Sequence, residues 1–131
     1  MRRLLPLLCL LVLAAPATAQ REPEWRASRE VEVLVHPFAY APRTILLRAG
    51  EPVRLRFLNQ GQGTYSFSAE AFFRASDVRG GDAAAVQGGN VRLAPGERRV
   101  IALVPRAGRY SMRSPNMVHW ALGMRGEIIV E

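Results

Sequence analysis

Apolar residues at every second position constrain this chain more than any other feature. Val31, Val33 and Val35 alternate with Glu30, Glu32 and Leu34, and Val53, Leu55 and Phe57 alternate with Arg54 and Arg56. A period of two places one set of side chains on one face of a strand, so both segments read as half-buried strands. Thr44 to Leu47 reads as a strand closed by the turn Ala49-Gly50-Glu51-Pro52, and Tyr65 to Phe67 as a short one. Val91 and Leu93 open a strand that ends at Pro95-Gly96. Val100 to Val104, Gly108 to Met112 and Gly126 to Val130 supply the rest. Seven or eight short strands with regularly spaced turns predict an all-β, Greek-key β-sandwich or small barrel.

Between these strands the signals are weaker. Pro37 and Pro42 bracket a turn around Phe38 and Tyr40, and 59–64 is a glycine-rich loop. Ala69 to Ala75 predicts one short helical segment, with Phe72 and Phe73 against the sheet. The Gly- and Ala-rich stretch from Asp77 to Asn90 is expected to be the least ordered. Tyr110, two residues after Gly108, reads either as a tyrosine corner or as an inward core tyrosine.

The chain has 131 residues, enough for one modest core and no second domain. Met1-Arg2-Arg3 precedes an apolar run from Leu4 to Ala15, and Ala17-Thr18-Ala19 is an A-x-A cleavage signal. We therefore expect a signal peptide over 1–19, a loosely held leader over 20–29 and one domain over 30–131. The expected location is periplasmic or secreted. The apolar run is shorter than the ~20 residues of a spanning helix, so no stable membrane insertion is expected after cleavage. Cys9, the only cysteine, lies in that run. The mature chain then has no thiol for a disulfide, a metal or nucleophilic chemistry.

Without Arg2 and Arg3 the balance is 16 basic against 11 acidic residues, and every basic residue is arginine. We read the preference for arginine as codon bias. An exported basic domain has little access to nucleic acid, so its charge concerns acidic partners or anionic surfaces.

Four segments in order resemble the cupredoxin family. They are Ile45 to Asn59, Leu93-Ala94-Pro95-Gly96-Glu97, Gly108-Arg109-Tyr110 and Gly123 to Val130. The resemblance covers roughly 31–131 and implies a cupredoxin-like sandwich. It also implies a copper site of two histidines, a cysteine and an axial methionine. On that pattern the cysteine, second histidine and methionine fall at Ser114, His119 and Met124. The first histidine falls at Tyr65 or, one residue later, at Ser66. His119 and Met124 match; Ser114 and Tyr65 mark lost ligands. A serine hydroxyl cannot replace a thiolate, so the resemblance implies a degenerate type 1 site without blue-copper electron transfer.

Copper could still be held another way. Thioether and imidazole donors suit Cu(I) better than Cu(II), which makes His119, Met124 and Met117 the candidate metal ligands. Met112, in register with Tyr110, reads as core. His36 steps off the inward Val31-Val33-Val35 set and should face away from the core. Around His119, the apolar residues Met117, Val118, Trp120 and Leu122 form a candidate docking surface for a periplasmic partner. Trp120 could equally fold inward over the metal position. With arginines nearby, an exposed patch would suit an apolar surface with an acidic rim.

No G-x-S-x-G elbow, H-E-x-x-H pair or phosphate-binding glycine loop is present, and no acidic residue lies between Ser114 and His119. An enzyme is therefore not expected. Two functions stand. One is copper binding or delivery through a residual His/Met site. The other is a metal-free binding module that docks through the 117–122 loop.

Overall fold

The computed structural model describes residues 21–131, so the signal peptide expected over 1–19, with Cys9, lies outside the described residues. Among the described residues the strands form two five-stranded sheets. The first has the order β2-β1-β4-β8-β6, from Ala39–Ala41, Arg29–His36, Val53–Asn59, Arg98–Val104 and Asp77–Val78. The second has the order β3-β10-β9-β5-β7, from Thr44–Leu47, Arg125–Val130, Gly108–Arg113, Tyr65–Ser68 and Asn90–Leu93. β1 with β4 and β3 with β10 pair in parallel; every other pair is antiparallel.

The predicted alternation is the observed one. Val33, Val35, Leu55 and Phe57 are fully buried, and Arg54 and Arg56, which alternate with the latter two, stay partly open and meet Glu30 across the sheet. Phe67, Phe72, Leu93, Ile101, Met112 and Ile128 complete the space between the sheets. Each such side chain contributes about 1.5–3 kcal/mol of transfer free energy. His36 ends β1 on the face opposite Val35, as its parity required.

Three differences from the expectation have physical causes. Two very short strands, β2 and β6, raise the count above seven or eight. β2 forms because Tyr40 turns into the core, where its hydroxyl donates to the Ser66 carbonyl at 2.6 Å. Burial pushes that phenol well above its ordinary pKa.

A second short helix, α2 (Met117–Ala121), follows α1 (Glu70–Ala75) in a segment expected to be loop. The Asn116 side chain starts it by accepting the Val118 and His119 N–H groups.

The segment 77–90 is ordered, not loose. After β6, the Arg79 N–H donates to the Ala102 carbonyl at 2.8 Å. The Ala102 N–H in turn donates to Asp82 Oδ2 at 2.9 Å. A side-chain carboxylate thus extends the ladder along β8 where the backbone has turned away. Arg79 grips the same carboxylate through two bonds of 2.9 and 3.0 Å, which hold the guanidinium still more firmly in its charged form. Val86 and Gly89 are buried beneath, and the Ala69 N–H bonds the Gly89 carbonyl.

The tyrosine-corner reading of Tyr110 holds. Its hydroxyl donates back to the Arg106 and Ala107 carbonyls at 3.0 and 3.2 Å. Its ring packs on Phe72 and lies so close over Gly108 that a Cβ there would sit 2.9 Å from the hydroxyl. No helix among the described residues is long and apolar enough to cross a membrane.

Candidate functional site

Three connections meet at one end of the sandwich: the β1–β2 turn at 37–38, the β4–β5 loop at 60–64 and the β9–β10 connection at 114–124. Asn59, fully buried at the end of β4, anchors the second of these. Its side-chain amide donates to the Gly63, Leu93 and Ala94 carbonyls, and its Oδ1 accepts the Gly61 N–H at 2.9 Å. The chain then enters β5 with Tyr65 and Ser66 beside the third connection.

That connection is built on Asn116. Its Oδ1 accepts the Val118 and His119 N–H groups at 2.9 and 3.2 Å, the N-cap that starts α2. Gly123 follows the last turn at φ +110, where its N–H bonds the Trp120 carbonyl. A left-handed residue ends the helix there without a Cβ penalty. Two further bonds close the loop on itself. Ser114 N–H donates to the Met124 carbonyl at 2.9 Å, and Met124 N–H to the His119 carbonyl at 3.0 Å.

Ser114, His119 and Met124 are therefore brought together. Ser114 is buried and accepts the Asn116 N–H at 3.2 Å, Met124 is fully buried, and His119 is half-buried. Tyr65 joins them: its ring lies 5.2 Å from the imidazole, centroid to centroid. Ser66 lines a small cleft of about 170 Å³ together with Ser114, His119 and Arg92. Of the two positions weighed for the lost histidine, Tyr65 meets the ring of His119, while Ser66 reaches the cleft beside it.

Met117 does not join this group. It stands 78% exposed at the first position of α2, two residues before His119. Residues two apart on a helix do not face each other. Trp120 does not fill the metal position either. It is 38% exposed, with the Arg125 guanidinium 5.0 Å from the ring centroid.

Phe38, which the sequence left in a turn, proves part of the site. It is 40% exposed and its ring also meets His119, at 5.4 Å and nearly edge-on. It holds φ +61, a conformation a bulky residue adopts only where its surroundings impose it. A large aromatic at a turn tip, just after Pro37, was the available signal.

Solved structures share this architecture. An auracyanin from Roseiflexus castenholzii matches with a TM-score of 0.56 and 20% identity, covering 80% of this chain and 98% of its own. Auracyanin B matches with a TM-score of 0.56 and 21% identity, covering 86% and 93%. The chain adopts the cupredoxin fold. A multicopper oxidase from Pseudomonas thermotolerans matches with a TM-score of 0.61 and 15% identity, over 79% of this chain and 29% of the oxidase. No family model and no curated protein matches the sequence.

The donors at this end of the cupredoxin fold do not fit a blue-copper centre. That centre needs a thiolate and two imidazoles. Here a hydroxyl, one imidazole flanked by two aromatic rings and one buried thioether stand in their places. Among the described residues no group of three or more His, Cys, Asp or Glu side chains gathers to hold a metal.

Proposed function

We propose that this chain is an exported cupredoxin-fold binding module that docks a protein partner through the end of the sandwich around α2, without blue-copper electron transfer. One observation carries the reading. Of the seven large hydrophobic residues exposed among the described ones, five (Phe38, Met117, Val118, Trp120 and Leu122) lie at this end. Clustered apolar exposure on a soluble domain marks an interaction site. The ring-on-ring packing of Phe38, His119 and Tyr65 supports the same reading, because it gives the surface a firm base.

The test is a photo-crosslinking side chain at Val118, compared with one at Val100 on β8, in the cells that make the protein. A discrete adduct from 118, abolished by Met117→Asp and absent from 100, is the expected result. No discrete adduct, or an adduct of twice the chain's mass, overturns it.

A second reading rests on the pair His119 and Met124, joined by a backbone bond and carrying the two soft donors. Cu(I) would be held by that imidazole and thioether, with any third donor supplied from outside. Titrating the domain with Cu(I) against a competing chelator tests it. Stoichiometric binding lost in both His119→Ala and Met124→Leu supports copper handling; no competition removes it. An intense blue colour with Cu(II) would contradict the exclusion of a type 1 centre.

A further inference from the structure

Beside the apolar end, the outer face of the second sheet carries an open groove of about 1080 Å³. Its floor is made of small residues, among them Thr44, Ser68, Ser111 and Gly126. Gly126 lends only backbone to this floor: a Cβ there would point to the core side, against the buried Met112 methyl and the Arg43 carbonyl. Four arginines, Arg43, Arg109, Arg113 and Arg125, stand around this floor with two glutamates.

The two glutamates are engaged already. Glu127 pairs with Arg109 at 3.4 Å and Glu70 with Arg74 at 3.2 Å. Arg43, Arg113 and Arg125 make no ion pair among the described residues. Arg113 and Arg125 are also directly opposite each other in the β9–β10 register. Like charges in that relation destabilise a sheet. Nothing in the fold requires the arrangement, since both side chains are exposed. Trp120 lies against Arg125 and steadies it without neutralising its charge.

We infer that this groove binds a carboxylate-bearing extended segment of the protein partner, with one carboxylate shared between Arg113 and Arg125. Apolar side chains of the same segment lie on Trp120 and Met117, which continue from the groove to the exposed end. The inference rests on the docking reading and adds the chemistry of what is docked. Arginine's planar fork suits carboxylates through paired hydrogen bonds. A concave floor favours a chain laid along it over a flat anionic bilayer, which would reach only the rim. The placement of these arginines also revises their reading as codon bias alone: composition explains their number, not two unpaired and face to face.

The test uses a fluorescein-labelled peptide alternating glutamate with leucine, and its twin with glutamine for glutamate. The acidic peptide should bind at least about tenfold more tightly, with the preference lost at high salt. Arg113→Gln with Arg125→Gln should abolish the preference and raise the thermal midpoint, because the like-charge pair is relieved. Amide shifts on peptide binding should concentrate in β9 and β10. Equal binding of both peptides, or binding unchanged in the double variant, overturns the inference. So does sedimentation with phosphatidylglycerol vesicles in the absence of peptide binding. Failure of the docking reading looks different: the crosslink at 118 is then missing while acidic-peptide binding survives. If the groove alone is wrong, the crosslink forms undiminished in the double arginine variant.

Discussion

The connections 79–89 and 114–124 are each eleven residues long, and each hides one short polar side chain. In the first, Asp82 is buried and both its carboxylate oxygens are bonded, one to the Ala102 N–H and both to Arg79. In the second, Ser114 is buried at one end and Met124 at the other, while Met117, Val118, Trp120 and Leu122 between them are exposed. The first connection spends its polarity inward and is fastened to the core. The second is fastened mainly to itself, by the Asn116 cap and the bonds joining Ser114, His119 and Met124, and leaves its apolar surface free. A buried, fully bonded polar group fixes a loop, whereas exposed hydrophobic side chains on a self-contained loop offer it to something else.

Replacing Asp82 with Ala is the most severe way to break the contrast. It strands the Ala102 N–H in a buried place and releases Arg79, and should lower stability by about 3 kcal/mol in chemical denaturation. A loss within experimental error would mean that 79–89 is not held by its carboxylate. Asn116→Ala comes next. It removes the cap of α2 and should cost about 1 kcal/mol, seen as faster amide exchange at Val118 and His119 with little change around Asp82. The smallest effect on folding belongs to Val118→Asp with Leu122→Asp, expected within about 0.5 kcal/mol of the parent. That pair should nevertheless abolish the crosslink to the partner, and a large stability loss would place these side chains in the core instead.

The sequence made the sandwich legible because strand parity is a local signal. Val33, Leu55 and Phe57 announce their faces without reference to anything distant. The relations that build the site are not local. Asp82 meets a backbone N–H twenty residues away, and Phe38 reaches His119 only because the β1–β2 turn and the β9–β10 connection share one end of the fold. Some of what was missed could have been read. Asn116 before Met117 and Val118 is a helix-start signal. Arg113 and Arg125 also flank 114–124 symmetrically, so an antiparallel pair had to bring them face to face. The position of Ser114 was legible, but that Met117 would point away from His119 depended on a helix that was not foreseen.

The place of β10 has a consequence for how the molecule comes into being. This strand lies between β3 and β9, so the second sheet stays split until residues 125–130 are available. Pairing a strand near residue 45 with one near 129 is a long-range closure, which is slow to form. Until that closure β3 has no partner in its own sheet, and its unpaired edge is the kind of surface through which incompletely folded chains associate with one another.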